Sequence, residues 1–122
     1  MSPVACIEEL CALLATHTFR FSSEAELQEG LRGVLVAAGV PFEKEYRLSA
    51  KDRLDFFVRG TVAIESKLDR SLASLTRQVN RYTLDDRVHG VLVVATRMRL
   101  QYMPETLNSK PIRVHTLLSS ML

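Results

Sequence analysis

The sequence of 122 residues predicts an α/β fold, with a mixed central sheet flanked by helices and an extra helix at the N-terminus. Three observations lead there. Stretches near residues 3–16, 24–38 and 71–85 repeat apolar residues at helical spacing. Two short runs, Arg53-Leu54-Asp55-Phe56-Phe57-Val58 and Val62-Ala63-Ile64-Glu65-Ser66-Lys67, are split by Gly60-Thr61 and read as a hairpin. The run from Gly90 to Ala95 is apolar throughout, so it reads as a strand buried on both faces and parallel to a neighbour. The helix before it supplies the crossover that a parallel pair needs.

The first helix opens at Ser2-Pro3, a capped start, and carries the stripe Val4, Ile7, Cys11 and Leu14. Ser23 caps the second helix, with Glu24 and Glu26 in the first turn, where the dipole favours acids. Its stripe is Leu27, Leu31, Val34 and Ala38, with Glu24, Gln28 and Leu35 on one flank. Gly39 ends it and Pro41 prevents continuation. The charged run 43–48 reads as an edge strand. The third helix starts at Ser71 and buries Leu72, Leu75, Val79 and Tyr82. Pro104 limits a loop or short helix over 100–110, Asn108-Ser109-Lys110 makes a turn, and Pro111 to Thr116 forms a last edge strand with Ile112 and Val114 inward. A short helical turn is expected over 117–122.

Composition narrows the function classes. Apolar residues make up 47% and charged residues 25%, which suits one ordinary globular domain spanning 1–122. With a net charge of +2, any affinity for nucleic acid must come from local patches. Cys6 and Cys11 lie five apart on one helix and face different directions, which argues against a disulfide and for a reduced, cytoplasmic setting. No segment is apolar and long enough for a membrane span, and Glu8 and Glu9 interrupt any leader-like run. His17, His89 and His115 are scattered, and neither a nucleophilic triad nor a Gly-rich phosphate loop is present. Nothing calls for an organic cofactor.

The informative feature is charge inside the hairpin. Asp55, Glu65 and Lys67 interrupt runs that otherwise belong in a core. Ionised groups there are costly unless they pair or hold a metal. Glu65 and Lys67, two apart on a strand, share a face. If the hairpin brings Asp55 alongside, two carboxylates and an ammonium converge, a set that suits Mg²⁺. The competing reading is a structural salt bridge.

Asp55, followed after a turn by Glu65-Ser66-Lys67, resembles the motif of the PD-(D/E)XK nuclease superfamily. The residue before Asp55 is Leu54, a departure from the family's Pro. The order of elements over residues 24–96 resembles the family's restriction-endonuclease-like αβββαβ core, with 1–20 as an N-terminal helical extension and 97–122 as a C-terminal strand and tail. Glu24-Ala25-Glu26-Leu27-Gln28 resembles the opening helix of the VRR-Nuc branch, and Gln78-Val79-Asn80-Arg81-Tyr82 resembles the Gln-x-x-x-Tyr element of several branches. The resemblance implies a DNA endonuclease using Mg²⁺, for which Mn²⁺ can substitute. Asp55, Glu65 and the Ser66 carbonyl would hold the metal, Lys67 and Gln28 would complete the catalytic set, and Glu24, Gln78 and Tyr82 would support it. Bland readings remain beside these: Glu24 as a dipole partner, Gln28 as a solvated side chain, Gln78 as a boundary residue and Tyr82 as half-buried core. Arg77 and Arg81 on the third helix, and Arg97 and Arg99 after the central strand, are the candidate phosphate contacts. Small nucleases of this kind include Holliday-junction resolvases, and a symmetric junction needs two cuts, hence a homodimer. The alternatives are an inactive nucleic-acid-binding module and an assembly protein of the same fold.

Overall fold

Ser2 starts helix α1, Pro3–Ala15: its side chain accepts a hydrogen bond from the Ala5 N–H, and Pro3 fills the first turn. Ser23 caps α2, Glu24–Ala37, and Ser71 caps α3, Leu72–Thr83, in the same way. The computed structural model describes residues 1–117. Its strands are β1, Phe42–Arg47; β2, Arg53–Val58; β3, Val62–Lys67; β4, Gly90–Ala95; β5, Thr106–Leu107; and β6, Lys110–Thr116. A 3₁₀ turn spans Met98–Tyr102.

The strands form one sheet in the order β1-β2-β3-β4-β6-β5. β1–β2 and β2–β3 pair antiparallel, whereas β3–β4 and β4–β6 pair parallel, so the sheet is mixed. β4 is buried along its whole length at the centre, and β1 is an edge. Each face of the sheet carries its own core. On one, α1 and α2 pack Ile7, Leu10, Leu27, Leu31 and Leu35 against Phe56, Ile64 and Leu92. On the other, α3 packs Leu75, Val79 and Tyr82 against Phe57, Ala63, Val91 and Val93.

Several expectations need correction. In α1 the buried face is Cys6, Ile7, Leu10 and Leu14, while Val4 is 38% exposed and Cys11 only partly buried. The helix is turned so that Leu10, between Cys6 and Leu14 on the wheel, faces the sheet. Ala38 lies beyond the end of α2 and is exposed, and Leu35, one turn after Leu31, is fully buried in its place. β6 is not a simple edge strand, since β5 pairs with its first residues, Lys110 and Pro111. A strand of two residues has no detectable period. Its turn is the expected one, with Asn108 and Ser109 both at positive φ. The helical turn expected over 117–122 lies outside the described residues, except for Leu117.

One irregularity prepares the site. The β1–β2 register is constant, yet the pair Glu45–Asp55 is skipped. On both strands the alternation breaks there: Phe42 and Phe56 pack in the α1/α2 core, whereas Tyr46 and Leu54 pack in the α3 core. Glu45 takes the left-handed conformation, φ 56°, which redirects the edge strand. Asp55 therefore sits where β2 changes face. Glu45→Gly should leave stability unchanged or raise it by up to about 1 kcal/mol, because glycine adopts this φ freely. Urea unfolding measures this, and a loss above about 1 kcal/mol would show that the Glu45 side chain itself holds the kink.

Candidate functional site

The β2–β3 ladder ends at Phe56↔Ile64, and earlier β2 residues pair only with β1. The hairpin thus opens into a fork. Asp55 fills it: its Oδ2 accepts from the Ser66 N–H at 2.8 Å and from Ser66 Oγ at 2.9 Å. In an extended strand the N–H and C=O of one residue leave on the same side, so the Ser66 carbonyl also faces the fork.

Glu65 and Lys67 point to the α3 side, in step with Ala63. Glu65 is 1% exposed. Its Oε2 accepts from the Tyr82 hydroxyl at 2.8 Å and lies 3.9 Å from Lys67 Nζ. Its Oε1 is buried and has no hydrogen-bond partner. Burial, and then the Asp55 charge, push the Glu65 carboxyl up to about 9, against the weaker opposing pull of Lys67 and Tyr82. Without a cation, Glu65 is therefore protonated at neutral pH. Burial and the neighbouring Glu65 likewise raise the Tyr82 hydroxyl, which stays a donor.

A chain of hydrogen bonds supports Glu65 from α3. Gln78 Nε2 donates to the Tyr82 oxygen at 2.7 Å, and Arg70 Nη1 donates to Gln78 Oε1 at 2.5 Å. Tyr82 thus touches the carboxylate directly, and Gln78, one helical turn earlier, touches it only through Tyr82.

Other expected members make no hydrogen bond to this cluster among the described residues. Glu24 is exposed and Gln28 only partly buried, and neither hydrogen-bonds Asp55, Glu65 or Lys67. Their helix covers the face opposite to Glu65. Helical periodicity placed them on one flank of α2 but carried no information about which face α2 covers. Arg81 is tied to Asp52 at 3.0 Å, and Arg99 to Asp69 at 2.7 Å, with Arg97 3.9 Å from the same carboxylate. Arg77 is exposed and makes no ion pair among the described residues. Arg70 was missed: it follows Asp69 in a loop, with no pattern to mark it.

The donor set fits a hard divalent cation. Among the described residues no three or more His, Cys, Asp or Glu side chains are grouped so that they could hold a metal ion by themselves. Two carboxylates and a main-chain oxygen would leave the remaining positions to water or substrate oxygens, as Mg²⁺ prefers. The structural sign of the fit is that Oε1 of Glu65 is buried with no protein donor and the Asp55 carboxylate is close by, so that a proton or a cation must lie between the two acids. No helix among the described residues is long and apolar enough to cross a membrane. Comparison with known proteins finds no match: no family model, no curated protein and no solved structure.

Because the folded Glu65 binds its proton more tightly than the usual 4.5, its contribution to stability is complete below about 4.5 and is lost as pH rises through about 9. In chelator, wild-type stability should decline across that window. Glu65→Gln, which mimics the protonated acid, should remove most of this slope and be the more stable at about pH 9. Urea unfolding at several pH values tests this; parallel curves for the two proteins would mean that Glu65 is ionised throughout.

Proposed function

We propose that this chain is a metal-dependent nuclease of the PD-(D/E)XK type that hydrolyses DNA phosphodiester bonds. The observation that carries the reading is the fork itself: Asp55 against the Ser66 N–H, and a buried Glu65 with one oxygen unpartnered and Lys67 at 3.9 Å. Asp55, Glu65 and the Ser66 carbonyl would hold Mg²⁺ or Mn²⁺. When bound, such an ion lowers the pKa of a coordinated water and neutralises charge on the phosphate. Lys67, whose side chain is 16% exposed, sits at the mouth of the site and donates to the attacking water or to a phosphate oxygen. Tyr82 and Gln78 keep Glu65 oriented, so that Oε1 remains the free oxygen. Arg77, exposed on α3, is the remaining phosphate contact of the set read from the sequence. On a symmetric branched substrate the chain would act as a homodimer, one copy per cut.

A second reading keeps the same fold and site in a binding module without cleavage. It is favoured by the lack of any hydrogen bond from Glu24 or Gln28 to Asp55, Glu65 or Lys67 among the described residues, α2 packing on the face of the sheet opposite to Glu65.

A panel of labelled DNA structures, incubated with Mg²⁺, Mn²⁺ or chelator, separates the two. The nuclease reading expects metal-dependent cleavage by wild type and none by Asp55→Asn. Lys67→Met should retain Mn²⁺ binding while its single-turnover rate falls by about two to three orders of magnitude. Mn²⁺ binding with no cleavage of any structure would favour the binding module. Full activity in Lys67→Met would remove the chemical role of Lys67.

A further inference from the structure

Arg70 differs from the arginines around it. Arg81 is paired with Asp52, and Arg97 and Arg99 share Asp69. Arg70 is held instead by two uncharged groups, Ser74 Oγ on Nε at 3.1 Å and Gln78 Oε1 on Nη1 at 2.5 Å. The side chain is half-buried and fixed, yet no carboxylate cancels its charge, and Nη2 makes no hydrogen bond among the described residues.

Its place in the fold gives that charge an address. Guanidinium is a donor only, so Gln78 must turn Oε1 to Arg70 and Nε2 to Tyr82. The Tyr82 oxygen accepts from Gln78, and its one proton goes to Glu65 Oε2. Arg70 thus lies at the outer end of an ordered chain whose inner end is the candidate metal ligand. The nearby Asp69 is engaged by Arg97 and Arg99 and does not compete for Arg70.

We propose that Arg70 is an anchor for a backbone phosphate of bound nucleic acid, next to the reacting phosphate, with Nη2 as the principal donor. This rests on the nuclease reading. A pre-oriented guanidinium loses little rotamer freedom on contact and offers planar donors to two phosphate oxygens. The interaction sets where the strand lies relative to Glu65 and Lys67; it does not hold the metal.

The test is fluorescence anisotropy of a labelled DNA duplex in Ca²⁺ over a range of salt, beside calorimetry with Mn²⁺, for wild type, Arg70→Met and Arg70→Lys. In Arg70→Met, affinity should fall about tenfold at low salt, and the slope of log affinity against log salt should shrink by about one unit. Arg70→Lys should recover most of the slope, because it restores the charge. Mn²⁺ binding should be the same in all three. An unchanged slope in Arg70→Met overturns the assignment and leaves the nuclease reading standing. Loss of Mn²⁺ binding in that variant overturns it differently, by showing that Arg70 serves only to hold Gln78, Tyr82 and Glu65. No DNA binding by wild type removes both the anchor and the reading on which it rests.

Discussion

A buried carboxyl group that lacks half of its partners dominates this structure. Glu65 lies in a core strand with one oxygen on Tyr82, no donor to the other, and a second carboxylate beside it. An isolated charge in such a place costs several kcal/mol. The chain meets that cost in one of two ways: it keeps a proton on Glu65, or it brings in a cation. Lys67 alone does not settle the matter, since 3.9 Å is a loose ion pair and the carboxyl still holds its proton near neutral pH. A salt bridge kept only for stability would be expected to do the reverse.

The surrounding fold serves that arrangement. The left-handed turn at Glu45 breaks the alternation of β1 and β2 and frees Asp55 from both cores. The early end of the β2–β3 ladder exposes the Ser66 N–H that Asp55 takes up. Helix α3 is the crossover between two parallel strands, and so it necessarily lies over the face that Glu65 points to. From there Tyr82 reaches the carboxylate, Gln78 holds Tyr82, and Arg81 ties the same helix to Asp52 in the turn before β2. The elements that build the core and those that orient the site are the same.

Much of this was legible in the residues. Continuous apolarity marked β4 as central and parallel, Gly60-Thr61 marked the hairpin, and serines before acidic or apolar runs marked the helix starts. Asp55, Glu65 and Lys67 stood out because charge in a strand is exceptional. Gln78 and Tyr82 could be paired from their spacing. What the sequence could not show was relative placement. Helical spacing puts Glu24 above Gln28 but does not say which face of the sheet their helix covers. Arginine on a polar helix face does not say whether a carboxylate from a distant turn, such as Asp52, has already claimed it. Arg70, in a loop, owes its position wholly to tertiary contacts. The break at Glu45 was invisible because a glutamate gives no warning of a positive φ.

A divalent cation held in the fork would take the place of the proton on Glu65. Calorimetric titration of the metal-free protein with Mn²⁺ near neutral pH, repeated in buffers of different ionisation enthalpy, measures ion binding and proton release together. Displacement predicts saturable binding with about one proton released per ion in wild type, and loss of both in Glu65→Gln. Binding without proton release, or binding that persists in Glu65→Gln, would contradict it.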